Sequence, residues 1–126
     1  MSIIPSTPPS LVLLPTGPGQ PKTQVFSNQR VAVGREVPYG PFAVVEGSRF
    51  EAAIGGPGAS GDPDLYVRFG VPPTTTAYNC RPYLASAVET CALDVPSGQT
   101  EAFVMVQGYT AARYRLTVKH VVPATP

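Results

Sequence analysis

The chain has few residues of the types that carry out catalysis. Its 126 residues include one histidine, two cysteines and no tryptophan. A hydrolytic triad needs a histidine beside an activated serine or cysteine and an orienting acid, and no Gly-x-Ser-x-Gly or comparable nucleophile motif accompanies His120. We therefore predict that the protein is not an enzyme and that His120 is a hydrogen-bonded residue at the rim of the fold.

Charged residues are also scarce. They make up 13% of the chain and almost cancel, which leaves a net charge of +1. Because no acidic or basic block is present, we predict that neither nucleic acid nor a membrane surface is a partner. No apolar run is long enough to span a bilayer, and residues 1–10 carry no lysine or arginine, so no classical signal peptide is visible. A neutral surface is typical of a protein that assembles with other proteins.

Proline and glycine are abundant, at 16 and 12 residues, and they lie between short runs with a period of two. Residues 65–69 and 114–118 alternate in this way, which places Tyr66 and Arg68 on an outer, wet face. Residues 102–106 are apolar at both parities, which indicates a central strand or a strand whose outer face is covered by another element or subunit. The pattern predicts an all-β fold, a single antiparallel β-sandwich of jelly-roll or immunoglobulin-like type.

The N-terminal segment differs in composition from the rest of the chain. Six prolines in residues 1–22 forbid a helix and favour an extended arm. A solvated linker is the alternative, but linkers are normally polar, and this segment carries the apolar side chains Ile3, Ile4, Leu11, Val12, Leu13 and Leu14. We predict an arm over residues 1–22 that docks on a neighbouring subunit or a sheet edge, a sandwich over residues 23–122, and a tail over residues 123–126.

Three stretches of the chain carry a family resemblance. They read Gly-Asp-Pro-Asp-Leu-Tyr-Val-Arg-Phe-Gly from position 61, Thr-Thr-Thr-Ala-Tyr-Asn-Cys-Arg-Pro-Tyr from position 74, and Glu-Thr-Cys from position 89. Together they resemble the bacterial pre-peptidase C-terminal domain, and the resemblance covers residues 23–122. It implies a small, non-catalytic β-sandwich of the kind appended to secreted proteases and other exported enzymes.

Cys80 and Cys91 flank a short excursion between predicted strands. They could form a disulfide or remain two buried thiols in a reducing compartment. The resemblance implies the disulfide, since the family commonly bridges the matching pair. An exposed pair, Arg81 and Tyr83, on the loop so closed would be a recognition tip, the alternative being that Tyr83 packs over the disulfide. Tyr109 is a further candidate binding residue.

Asp62 and Asp64 precede a predicted strand in a glycine-rich context. They are calcium candidates, with Glu46 or Asp94 as distant helpers, although an Asp in this place also caps its own turn. Turn capping is the interpretation that we favour, and we predict no metal and no cofactor.

Two hypotheses describe the function. In the first, the chain is a structural subunit that decorates or cements a larger particle, such as a virion capsid, a shell or a filament, through its N-terminal arm. Its partners would be copies of itself or a larger protein assembly, at a particle surface or outside the cell. In the second, it is a stand-alone binding module of the secreted-protease accessory type that adheres to an insoluble polymer, collagen or polysaccharide. A weakly charged chain led by an apolar arm favours the first.

Overall fold

Seven strands make up the part of the chain that the structure, a computed structural model, describes, which is residues 19–124. Over this range no residue is helical, and no helix could therefore cross a membrane. In chain order the strands are β1 (Gln20–Val31), β2 (Glu36–Ala43), β3 (Arg49–Ser60), β4 (Pro63–Phe69), β5 (Glu89–Asp94), β6 (Glu101–Gly108) and β7 (Ala112–Val122).

The strands form two antiparallel sheets that pack face to face. One sheet has the order β1-β7-β3-β5 and the other has the order β2-β6-β4. The core cluster draws its side chains from both sheets, among them Phe42, Phe50, Leu65, Val104 and Leu116. The predicted all-β sandwich is confirmed, and so is the central position of the strand that is apolar at both parities, β6.

The outer face of β4 is not exposed to solvent at Tyr66, contrary to the prediction from the sequence. Its neighbours Leu65 and Val67 belong to the core cluster and Tyr66 does not, so its side chain lies on the outer side of the sheet as the alternation predicts. It is nevertheless only 2% exposed. The reason is that the long connection between β4 and β5 folds over it, with the Tyr78 ring 5.6 Å from its ring and the Arg81 guanidinium carbon 5.1 Å from its centroid.

A disulfide between Cys80 and Cys91 joins the two sheets at one side of the sandwich. Cys91 is buried in the edge strand β5, whereas Cys80 lies beside the edge strand β4 of the other sheet. The N–H of Val67 donates to the Cys80 carbonyl oxygen at 3.0 Å, and the N–H of Cys80 donates to the Val67 carbonyl oxygen at 3.1 Å. The predicted disulfide is therefore present, and it ties the β4–β5 connection to both sheets.

The N-terminal strand begins before the boundary predicted for the arm. Gln20 pairs with Val122 and Lys22 pairs with His120, so the last residues of the predicted arm are part of β1. The apolar residues on which the assembly hypothesis rests lie outside the described residues: Ile3, Ile4, Leu11, Val12, Leu13 and Leu14. The docking of the arm stays a prediction.

Removal of the disulfide should destabilise the domain without changing its fold. A crosslink that closes a loop of this size contributes about 2–3 kcal/mol by restricting the unfolded chain. We expect the Cys80→Ala/Cys91→Ala variant to lose that much unfolding free energy in urea, with Tm lower by several degrees. Reductant should destabilise the wild type and leave the variant unchanged. A wild type insensitive to reductant would contradict the disulfide.

Candidate functional site

The second half of the β4–β5 connection and the β6–β7 turn lie at the same end of the sandwich, and they carry the candidate binding residues. The backbone N–H of Tyr109, in the β6–β7 turn, donates to the carbonyl oxygen of Asp62, at 3.1 Å. The carboxylate of Asp62 lies within 4.8 Å of that of Glu89, which begins β5. Both candidate tyrosines, Tyr83 and Tyr109, therefore stand at the end where β4 and β5 begin.

Arg81 is not the exposed recognition residue that the sequence led us to expect. Its Nη2 donates to Asp64 Oδ2 at 3.1 Å, and its side chain is only 18% exposed. The guanidinium carbon lies 3.8 Å from the ring centroid of Tyr83 and 5.1 Å from that of Tyr66. A planar guanidinium stacks on aromatic faces and binds a carboxylate at its edge, so Arg81 holds the loop against β4.

Tyr83 packs on Arg81 and is also presented to solvent. It is 63% exposed, and its hydroxyl is hydrogen-bonded to the hydroxyl of Tyr78. Its φ of 61° is in the left-handed region, which a bulky residue adopts only when its surroundings hold it there. Here the Arg81 stack and the Tyr78 contact hold it, so Tyr83 is a rigidly presented ring. The ring of Tyr78 packs against the rings of Tyr66 and Tyr83, and Tyr66 also contacts Arg81.

Glu89 is a structural residue to which the sequence analysis assigned no role. It is 1% exposed, and its two carboxylate oxygens accept the N–H of Leu65 at 2.8 Å and the N–H of Leu84 at 3.1 Å. It thereby joins β4, β5 and the disulfide-closed loop. The alternation along β5 could have revealed the burial of Glu89. Glu89 and the buried Cys91 are two residues apart and therefore lie on the same side of the strand.

The acidic residues gather differently from the sequence expectation. Oxygens of Asp62, Asp64 and Glu89 lie within 4.8 Å of one another. The proposed helpers are elsewhere, because Glu46 accepts the N–H of Gly98 and Asp94 pairs with Arg49. Asp64 binds Arg81 instead of capping its own turn.

Calcium prefers six to eight oxygen ligands. Here the Arg81 guanidinium and the backbone N–H groups of Leu65 and Leu84 already occupy oxygens of Asp64 and Glu89. This donor set fits a protein cation better than a metal ion, and the absence of a bound metal stays a prediction.

Burial changes the protonation of this cluster. It raises the pKa of Glu89 from its usual 4.5 to about 7, opposed by the two backbone N–H groups and reinforced by the charges of Asp64 and Asp62. Burial also raises the pKa of Asp64, and the hydrogen bond and charge of Arg81 oppose that shift. Burial therefore moves the titration of Glu89 towards neutral pH.

His120 is the hydrogen-bonded rim residue that the sequence predicts. It is 4% exposed, its Nδ1 lies 2.6 Å from the carbonyl oxygen of Ala43, and its Nε2 lies 3.2 Å from the side-chain nitrogen of Gln24. The Gln24 amide nitrogen can only donate, so Nε2 accepts and Nδ1–H donates to Ala43. Both ring nitrogens are engaged in holding β1, β2 and β7 together.

Five exposed apolar side chains share this end of the sandwich. Of the seven large hydrophobic residues that are exposed in residues 19–124, only Val25 and Val71 lie elsewhere. Val33 forms a bridge to Gly108, next to Tyr109. Val88, just before the first residue of β5, lies over Gly55 in the middle of β3. We call these five side chains the tyrosine end: Val33, Tyr83, Leu84, Val88 and Tyr109.

The raised pKa of Glu89 predicts a pH-dependent stability. Because the folded state binds this proton more tightly than the unfolded chain, the stabilisation is complete below about pH 4.5 and is lost as the pH rises through about 7. We expect the unfolding free energy in urea to fall between about pH 5 and about pH 8, and Glu89→Gln to flatten this dependence.

Glu101→Gln is the matched control, since it makes the same chemical change at an exposed position of β6. It should keep the wild-type dependence on pH. An undiminished pH dependence in Glu89→Gln would contradict the assignment to Glu89.

Comparison with known proteins identifies relatives of this domain, although no family model matches it. A neutral protease of Vibrio proteolyticus is 47% identical over 53 residues, which is 42% of this chain and 8% of that protein. A zinc metalloprotease of Helicobacter pylori is 43% identical over 53 residues, which is 42% of this chain and 20% of that protein. The chain thus spans only a small part of these relatives.

The relatives contradict the hypothesis of a particle subunit. They are C-terminal parts of secreted bacterial proteases, and none of them points to a capsid, a virion or a decoration protein. A neutral surface and an apolar proline-rich segment are features of composition, and composition does not distinguish a capsid protein from an accessory domain. The resemblance to the pre-peptidase C-terminal domain is consistent with these relatives.

The solution structure of vEP C-ter 100 has the same fold. It superposes with a TM-score of 0.55 and 34% sequence identity, over 78% of this chain and 91% of that chain. Coverage of nearly that whole domain at this identity shows common descent. The chain therefore belongs to the same family as vEP C-ter 100, a family of C-terminal domains of secreted bacterial proteases.

Proposed function

We propose that this domain is a non-catalytic accessory module that works outside the cell and adheres to an insoluble polymer through its tyrosine end. The observation that carries the proposal is the gathering of five exposed apolar side chains at one end of an otherwise ordinary surface. Exposed apolar groups that cluster in this way mark interaction sites, whereas single ones do not. The disulfide supports an extracellular location, because such bonds persist in oxidising compartments.

Two side chains of the tyrosine end are held in place by the rest of the domain, which favours binding. Tyr83 is held by Arg81 and Tyr78, and Leu84 is held through its N–H by Glu89. Side chains that are already ordered lose little conformational entropy when a ligand binds, so more of the contact energy appears as affinity. Tyrosine also combines a flat apolar face with a polar hydroxyl, which suits a partly wet interface.

Among insoluble polymers we favour a protein such as collagen over a polysaccharide. The relatives are proteases, and a module that adheres to protein would hold such an enzyme at its substrate. Leu84 and Val88 add aliphatic surface beside the ring of Tyr83. Aliphatic side chains suit the proline rings and side chains of a peptide better than the hydroxyl-rich faces of a sugar chain. Polysaccharide remains the alternative polymer.

Co-sedimentation with collagen fibrils and with chitin or cellulose particles tests this function. We expect the wild-type protein in the collagen pellet, and we expect Tyr83→Ala/Tyr109→Ala to bind about tenfold or more weakly, because central aromatic anchors carry most of the binding energy. Tyr109→Ala alone should also weaken binding, and it spares the Arg81 stack. Urea unfolding of each variant checks that the fold is kept.

The matched control is Val25→Ala/Val71→Ala, which trims two exposed apolar residues outside the tyrosine end. It should sediment like the wild type. Sedimentation with chitin or cellulose alone would assign the module to polysaccharide. Equal sedimentation of the wild type and the tyrosine variants would exclude the tyrosine end as the binding surface.

A further inference from the structure

Three arginines share the outer face of the β1-β7-β3-β5 sheet. Arg30 in β1 lies directly opposite Arg113 in β7, and Arg115 follows on the same side of β7. All three residues are exposed. Like charges directly opposite each other in a sheet are destabilising, so this pairing is a stability cost that a binding function would explain.

No acidic side chain of the protein neutralises this group. All eight acidic side chains lie within residues 19–124, and the ion pairs in that range are Arg49–Asp94 and Arg81–Asp64. Lys119, farther along the same face of β7, lies opposite Glu51 of β3 in the register. The three arginines therefore form a local concentration of positive charge that the net charge of +1 conceals.

The arginines line a groove of about 460 Å³ whose walls are irregular strands. The β1 register shifts between Phe26 and Gln29, where Asn28 adopts a φ of 56°, and the β3 register shifts between Gly55 and Ser60. Bulges of this kind redirect side chains and occur frequently at sites of function.

The β3 wall of the groove approaches Arg115 closely. A Cβ at Gly56 would lie 3.0 Å from Arg115 Nε, so glycine at this position allows the guanidinium to lie against the strand. The backbone of β3 therefore helps to position one of the three cations.

The chemistry of the groove matches an anion carried on a chain. A guanidinium binds sulfate, carboxylate or phosphate with two parallel N–H···O hydrogen bonds. Successive outward residues of a strand are about 7 Å apart, so the Arg30–Arg113 pair and Arg115 would contact separate anionic groups. A nucleic acid is disfavoured, because single strands need an exposed aromatic platform and the tyrosine in this groove, Tyr114, is 3% exposed.

We propose that the groove lined by Arg30, Arg113 and Arg115 binds the sulfate or carboxylate groups of an anionic polysaccharide. None of the three arginines belongs to the tyrosine end, and the inference goes beyond the proposed function. The domain would thereby combine an apolar contact at its end with an ionic contact on its face. The hydroxyl of Ser27 and the amide of Asn28, which also line the groove, add uncharged partners for sugar oxygens.

Calorimetric titration of the whole chain with a sulfated heparin-type hexasaccharide tests the proposal. We expect binding that weakens as salt is added and a loss of about tenfold or more in Arg113→Gln/Arg115→Gln, since charge-assisted hydrogen bonds are lost. Arg113→Lys/Arg115→Lys should bind at an intermediate level, because an ammonium group cannot form the bidentate contact.

The matched control is Lys22→Gln/Lys119→Gln, which removes the same charge from the far ends of the same two strands. It should bind within about twofold of the wild type, because screening limits the influence of distant exposed charges. An equal loss in this control would mean that only net charge matters, and it would overturn the proposal.

Two further ligands complete the test. A desulfated hexasaccharide without carboxylates should not bind, and a single-stranded DNA oligonucleotide of matched charge should bind more weakly than the sulfated sugar. Equal binding of either ligand would overturn the proposal. Co-sedimentation with collagen should be unchanged in the arginine variants, and hexasaccharide binding should be unchanged in Tyr83→Ala/Tyr109→Ala, so either proposal can fail without the other.

Discussion

The burial of Phe50 between the two sheets is the interaction on which the rest of the domain depends. Phe50 belongs to β3, and its ring meets Phe42 of β2 at 6.2 Å and Phe69 of β4 at 5.9 Å between ring centroids, across the sandwich. It is fully buried, and tilted and edge-on aromatic contacts of this kind stabilise a core beyond the area that they bury. Because the inner faces are thus occupied, only the ends, edges and outer faces of the sandwich are available for binding.

The β4–β5 connection turns one edge of this sandwich into a rigid presenting surface. A disulfide attaches it to β5, the Glu89 carboxylate attaches Leu84 to the same strand, and the Arg81–Asp64 ion pair attaches it to β4. The disulfide is covalent, and the Arg81–Asp64 pair is largely buried, so salt weakens that pair less than it would weaken a pair at the surface. A long loop that would otherwise be mobile therefore holds Tyr83 in one orientation.

The two surfaces proposed for binding are chemically different and adjoin each other, because Val88 lies over Gly55, which is directly opposite Arg115. The tyrosine end is apolar, and the cation beside it, Arg81, is paired with Asp64. The arginine groove is basic and carries no exposed aromatic ring. According to the two proposals, the module would contact fibrous protein with one surface and anionic sugar chains with the other.

The sequence by itself determined the fold class, the central strand, the inward faces of the strands and the disulfide that the family resemblance implied. Period-two alternation is a local property that each strand carries in its own residues, so it can be read without knowledge of its neighbours. The hydrogen-bonded His120 was also predicted, whereas the exposure of Tyr83 was one of two alternatives that the sequence left open.

Only the tertiary structure decided which residues meet across the sheets. Tyr66 has the outward parity of a wet residue but is covered by a loop that follows it in the chain, and Arg81, expected to be exposed, is held by Asp64. The arginines of β1 and β7 become neighbours because the first and last strands pair at the edge of one sheet. Strand order and loop packing depend on contacts between residues far apart in the chain, and alternation within a strand does not encode them.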